Sequence, residues 1–375
     1  VPEAHDVSLD FVTAVLRGAD ASWPPGATDD DAARFLAIVI DHSVEALALW
    51  RLRQDPRFAS WPQSIRDDLA HMVRGEALLE AGREGELQAL VADLHEAGVP
   101  ALLFKGAALA YASYPEPWLR PRNDNDILVP PGCVEGADRV LQARGYDKVN
   151  ALDGELVSYQ NAYVRRDRLG FRHVVDLHWK ISNRPRIADV LSWDELWREA
   201  VDVPKLGPAA RGPGRVHALV LACLHTVAHH RNSDNLVWSY DVHLLATGMS
   251  EAEHAELVSL ARRKHVAAVC ASGLRRAAHH FATPVPVAVL EQLDVEGEFS
   301  EAFLSAEPWR GDVRLADLRA IDGVSAKLRF MREVAFPSSD YMLREYRSRS
   351  RALVPLFHAH RLGRGTWRLM RRFFQ

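Results

Sequence analysis

The stretch Leu102–Val129, LLFKGAALAYASYPEPWLRPRNDNDILV, decides how the rest of the chain is read. Ala101 to Phe104 is short, apolar and stopped by Gly106, which predicts a buried strand. Ala107 to Tyr114 has helical composition and ends at Pro115 and Pro117. A second apolar run, Asp124 to Val129, then predicts another strand. Side chains alternate across a strand, so Asp124 and Asp126 fall on one face, about 7 Å apart along the chain. Two carboxylates held side by side repel each other, and hard oxygen ligands at this spacing suit Mg²⁺ or Mn²⁺.

Downstream, Val134 to Arg144 predicts a helix closed by Gly145, and Tyr146 to Val149 a strand. Tyr159–Asp167 and Phe171–Trp179 read as two strands joined in a hairpin at Leu169-Gly170. In the second run Val175, Leu177 and Trp179 share one face, and Asp176 and His178 the other. A third acidic strand beside the first two would close a two-metal site.

These pieces resemble the DNA polymerase β-like nucleotidyltransferase superfamily, and more closely a bacterial family of uncharacterised nucleotidyltransferases. The resemblance rests on Phe104-Lys105-Gly106, Tyr114-Pro115, Leu119-Arg120-Pro121, Asp124-Asn125-Asp126-Ile127-Leu128-Val129 and Asp176-Leu177-His178-Trp179, in that order. Its specific part covers about residues 100–180. It implies an α+β fold, with a small mixed β-sheet nucleotidyltransferase core flanked by N-terminal helices and a C-terminal helical domain. The expected divisions are residues 1–75, 76–185 and 186–375, the last with a basic tail, and Pro204–Gly214 reads as a linker. The implied activity is metal-dependent transfer of a nucleoside monophosphate from a nucleoside triphosphate, ATP first among them, to a hydroxyl acceptor, with release of pyrophosphate. The acceptor stays open between a small molecule, a protein side chain and a tRNA end. A nucleotide-binding regulatory protein, or a toxin of a two-gene system, is the alternative.

By the same resemblance Asp124, Asp126 and Asp176 are the catalytic and metal-binding residues, and Lys105, Gly106, Ala107 and Arg120 the nucleotide-binding ones. Two positions depart from the superfamily pattern. The turn reads Lys105-Gly106-Ala107 where Gly-Ser or Gly-Gly is usual, so phosphate contact falls to Lys105 or to backbone N–H groups. Asn125 stands between the two carboxylates where an apolar residue is usual, and a buried amide there needs a partner. A structural reading of Asp176 pairs it with Arg120 or Arg122.

The 375 residues carry a net charge of −4, which argues against a generally basic nucleic-acid binder. Cys133, Cys223 and Cys270 lack metal-type spacing and read as buried, reduced thiols of a cytoplasmic protein. No apolar run approaches a membrane span, and the first residues lack the layout of a signal peptide. His225, His229 and His230 have helical spacing, but without the acidic residue or cysteines of a zinc site. The tail, with Arg344, Arg347, Arg349, Arg351, Arg361, Arg364, Arg368, Arg371 and Arg372 against a single acid, Glu345, reads as a solvated face, an RNA surface or a clamp on triphosphate.

Overall fold

The computed structural model describes residues 7–19, 22–149, 158–229, 232–304, 317–319, 321 and 323–373. Its centre is a five-stranded mixed sheet of β1 (Leu102–Leu103), β2 (Asn125–Leu128), β3 (Asp147–Lys148), β4 (Gln160–Arg166) and β5 (Arg172–His178), in the order β1-β2-β5-β4-β3. β2 runs parallel to β5, and the other pairs are antiparallel. The β4–β5 hairpin forms where the sequence predicts it. Asp167 Oδ1 accepts from the backbone N–H groups of Leu169 and Phe171, and Gly170 takes a φ of +85°, open to a residue without Cβ.

Alternation along the strands gives the sheet two different faces. Ile127, Val175 and Leu177 enter one apolar core with Tyr163, Ala137 and Leu141. Leu128 enters the other, larger core, built from N- and C-terminal helices. The parallel register sets Asp126 opposite Asp176 and Leu128 opposite His178, so both acidic strands present their polar side chains to the same face.

The N-terminal helices are α1 (Leu9–Arg17), α2 (Asp29–Asp41), α3 (Glu45–Leu52) and α4 (Gln63–Glu96). Asp29, Asp30 and Asp31 do occupy the first turn of α2, where Thr28 and Asp31 complete a capping box. α4 runs without a break through the expected boundary at 75/76. Ile65, Leu69 and Val73 bury its first half in the helical core, and Leu87, Leu90, Val91 and Leu94 bury its second half under the sheet. Between these stripes sits Glu80, buried, accepting from Tyr111 Oη at 2.5 Å and from Arg122 at 2.8 Å. Arg122 Nε in turn donates to Asn125 Oδ1 at 3.1 Å. That is the partner the buried Asn125 amide requires.

After the strand comes α5 (Lys105–Ala112), and α6 (Val134–Ala143) precedes β3. The segment expected as a linker is instead folded. Val201–Asp202 pairs with Arg211–Gly212, and Val203, Leu206 and Ala210 are buried in the sheet's core. The apolar residues spaced between its prolines and glycines account for this, with Gly207 at φ +97° closing the turn. The following helices include α7 (Pro185–Ala188), α8 (Trp193–Arg198), α9 (Arg215–His229), α10 (Leu236–Ala246), α11 (Glu251–Arg263) and α12 (Ala267–Phe281). Cys223 and Cys270 are buried free thiols, as expected, while Cys133 is half-buried. Arg17 at the end of α1 donates to the carbonyls of His279 and His280 at the end of α12, which joins the two helical groups. The basic tail is helical over Val324–Ala335, Ser339–Glu345 and Val354–Phe373, with Arg347, Arg349 and Arg351 exposed. The side chains of Arg368, Arg371 and Arg372 lie outside the described residues. Among the described residues no helix is long and apolar enough to cross a membrane.

Candidate active site

The site is assembled at the end of β1. Phe104 continues the extended chain, and its N–H donates to the Asp126 carbonyl on β2. Lys105 then takes a φ of +53° and begins α5. The left-handed residue of this turn is therefore Lys105, one position before the glycine. A side chain in that region costs about 1–3 kcal/mol and persists only where its surroundings hold it. Here the ammonium is held on Asp126, with Nζ 2.8 Å from Oδ1 and 4.8 Å from the centroid of the Phe104 ring.

Asp126 is buried, and the same Oδ1 lies 2.8 Å from His178 Nε2. Burial opposes its charge, but Lys105 and the His178 hydrogen bond outweigh burial and hold the carboxyl well below the usual range. His178 is fully buried, with its ring edge-on to Phe104 at 4.8 Å. Burial and the Lys105 charge lower its pKa to about 4, so at neutral pH it is an uncharged ring donating from Nε2. Its Nδ1 is buried with no hydrogen-bond partner among the described residues.

The other two carboxyls behave oppositely. Asp124, just before β2 and half-buried, is pushed up to about 6 by burial and by the Asp126 charge, against the pull of Lys105, Arg122 and Arg120. Asp176 is pushed up to about 7 by burial and by Asp126 and Asp124. Its Oδ2 accepts from Gln160 Nε2 at 2.8 Å, and Gln160 is oriented by Asn183 Nδ2 at 2.9 Å. Neither Gln160 nor Asn183 stands out in the sequence. Only the hairpin register, which sets Gln160 opposite His178, brings them in.

Asp126, Asp176 and His178 place one ligand atom each within 4.8 Å of one another. His178 Nε2 is occupied by Asp126, which leaves carboxylate oxygens as the donors. Three carboxyls and one lysine leave an excess of negative charge, which adds to burial in raising Asp124 and Asp176. A hard divalent cation with oxygen ligands fits that set. His225 joins no such cluster among the described residues, and the side chain of His229 and all of His230 lie outside them.

Arg120 does not meet Asp176. Its Nε and NH2 each donate to Asp241 on α10 at 2.8 Å, and NH1 donates to the Pro121 carbonyl at 2.8 Å. Tyr114 Oη adds a bond to Asp241 at 2.7 Å. Arg122 is taken by Glu80 and Asn125, so neither arginine is Asp176's partner. A Cβ added at Gly106 would stand 3.8 Å from the Arg120 guanidinium, in ordinary contact. Gly106 and Lys105 also border a cavity of about 330 Å³ between α5, α9 and α10, with Arg120 and Asp241 in its wall. Ala107 is buried on the sheet side of α5.

Compared with protein families, residues 28–282 match the family described as Uncharacterised nucleotidyltransferase, well over half of the chain. The match takes in the sheet, the carboxylates and helices α2 to α12, and leaves α1 and the Arg-rich tail outside. No curated protein is matched.

Proposed function

The chain belongs to the family of uncharacterised nucleotidyltransferases, and from that premise we propose that it moves a nucleoside monophosphate from a nucleoside triphosphate to a hydroxyl acceptor. The observation that carries this reading is that Asp126 and Asp176 stand opposite each other on neighbouring strands with His178 within 4.8 Å, and that Asp124 interacts electrostatically with both carboxyls. Asp124, Asp126 and Asp176 would hold Mg²⁺ or Mn²⁺. When bound, such a cation would neutralise the triphosphate and acidify the acceptor hydroxyl.

The protein's own residues divide the remaining work. α5 has no side-chain cap, so the N–H groups of Gly106 and Ala107 at its start are free of one and suit phosphate oxygens. Lys105 Nζ supplies a positive charge at the junction of that turn and Asp126. His178, uncharged, fixes the orientation of Asp126 without neutralising it. The acceptor oxygen attacks the α-phosphorus, the bond to the bridging oxygen breaks, and pyrophosphate leaves with the electron pair. Asp176 takes the acceptor's proton on its Oδ1 and returns it to solvent, a role suited to a carboxylate beside the attacking oxygen.

The test is incubation with each labelled nucleoside triphosphate, ATP first, plus Mg²⁺ and host extract. Label should pass to an acceptor in the parent protein and not in Asp124→Asn. No transfer with any nucleotide overturns the reading. At the turn, Gly106→Val should lower nucleotide affinity at least about tenfold, because a branched side chain blocks the approach of phosphate to the helix start. The fold should survive, since the Cβ meets only ordinary contacts. Unchanged affinity in the folded variant would remove Gly106 from the phosphate site.

The tail bears on whether RNA is the acceptor. Replacing the exposed Arg347, Arg349 and Arg351 by Glu should leave the melting temperature nearly unchanged, because exposed charges contribute little individually. RNA affinity should stay weak in the parent and unmoved by the change. A strong affinity whose logarithm falls by roughly 0.7 per neutralised phosphate with log salt, abolished by these substitutions, would instead make RNA the acceptor.

A further inference from the structure

The cavity beside Lys105 has a composition that the phosphate chemistry does not use. It runs along α5 from Lys105 and Gly106 to Ser113 and is roofed by α9 and α10. Most of its wall is aliphatic, including Leu109, Ala112, Ala218, Leu221, Ala222 and Leu244. Of its charged lining, Arg120 and Asp241 are paired with each other and Lys105 with Asp126, while the exposed Arg215 at the start of α9 lies 3.7 Å from Glu253. Arg120 directs all three nitrogens to Asp241 and the Pro121 carbonyl, and Asp241 also accepts from Tyr114. Apart from the His225 imidazole, the described lining offers no aromatic plate.

A nucleobase is held by stacking on rings and by hydrogen bonds to its edge, so this wall suits it poorly. An aliphatic wall over a closed ion pair instead rewards burial of an apolar body. At about 330 Å³ the space fits a small molecule and not a folded polymer. Lys105 and Gly106 line the end of it where the reacting phosphate would lie.

We propose that this cavity is the acceptor pocket, and that the acceptor is a small molecule bearing its hydroxyl on an aliphatic or alicyclic body. The proposal rests on the nucleotidyl-transfer reading above. The step is then R–OH plus nucleoside triphosphate giving the R–O–phosphoryl nucleoside diester, pyrophosphate and a proton. The new bond joins the acceptor oxygen to the α-phosphorus, and the bond from that phosphorus to the β-bridging oxygen breaks.

The experiment uses cyclohexanol and 1-octanol as probes, with adenosine as a third, followed by saturation-transfer NMR on the full chain without metal. Mg·ATP affinity is measured separately by calorimetry. The parent should bind the two alcohols saturably and adenosine far more weakly. Ala222→Leu, which fills the cavity from α9, and Ala112→Trp, which fills it from an exposed position on α5, should each weaken the alcohols at least about tenfold. Mg·ATP affinity should remain within about twofold of the parent. Alcohol binding that is absent, or indifferent to both substitutions, overturns the proposal. So does a parallel loss of Mg·ATP affinity, which would assign the cavity to the nucleoside. Failure of the parent to bind any Mg·nucleotide defeats the nucleotidyl-transfer reading instead, and is read independently of the alcohols.

Discussion

Asp126→Asn is expected to abolish transfer and weaken the fold, whereas Asp176→Asn abolishes transfer and strengthens the metal-free fold. Both should lower turnover by about 10²–10³-fold, the usual cost of removing one preorganised charge-stabilising group. Their stabilities diverge because their environments do. The folded pKa of Asp126 is depressed by Lys105 and His178, so its contribution is present above the unfolded value near 3.9 and lost only in acid. Its replacement leaves a half-buried ammonium facing a neutral amide. The folded pKa of Asp176 is raised to about 7, so its contribution is full below about 3.9 and lost as pH rises through 7. Asp124, raised to about 6, has the same sign. A tenfold change in a carboxyl's proton affinity between the unfolded and folded chains is worth about 1.4 kcal/mol, and because these two carboxyls repel each other their contributions do not simply add. Each raised carboxyl should therefore cost the metal-free protein stability as pH rises from 4 to 7.5. His178, lowered to about 4, instead adds stability as pH rises through about 4 to 6.5, so the carboxyl's part is read as the difference between the parent and Asp176→Asn profiles. Mg²⁺ should offset much of the carboxyl cost, and Asp176→Asn should remove its Asp176 part. Calorimetric scans across that range in chelator and in Mg²⁺ provide the check. An Asp126→Asn protein at least as stable as the parent at pH 7 would contradict this account of the site.

What the sequence reveals of this site follows from local periodicity. Alternation alone puts Asp126 on the face opposite Ile127, and Asp176 and His178 opposite Leu177. The order of the short motifs supplies the rest of the core. What it conceals depends on contacts between distant residues. The Lys105 turn looks like a glycine turn because glycine is the usual left-handed residue, yet tertiary contacts to Asp126 hold the lysine there instead. Nothing between Glu76 and Glu86 in α4 marks Glu80 as buried, because Tyr111 and Arg122 reach it from distant segments. Pro204–Gly214 has the composition of a linker, and its apolar residues find their packing only in the folded chain, against β1 and α4. Alternation places His178 on the face of Asp176, but its relation to Asp126 requires the parallel register of β2 and β5.

Asp241→Ala should have the largest effect on stability, about 3–5 kcal/mol, because it strands a buried guanidinium. Asp241 receives two bonds from Arg120 and one from Tyr114, and the two charged partners are separated by 121 residues. The pair is thus a polar clasp between the loop before β2 and the helices beyond the sheet. Burying two charges is itself costly, so replacing both partners by apolar groups should cost far less than removing one. Arg120→Met combined with Asp241→Leu is expected to recover most of the loss, and chemical denaturation of the two single variants and the double variant closes the thermodynamic cycle. The double variant also decides what Arg120 does for the nucleotide. Its guanidinium lies beside Gly106 and pulls on the Asp124 charge, so it adds positive potential where triphosphate would sit. With the fold recovered and the pair removed as a unit, Mg·ATP affinity should fall, but by less than the roughly tenfold effect of one uncompensated charge, because the Asp241 charge goes with that of Arg120. Full affinity in a stable double variant would leave the clasp as a purely structural device and remove Arg120 from the nucleotide site. A double variant no more stable than Asp241→Ala alone would show that the helices are not held by this pair.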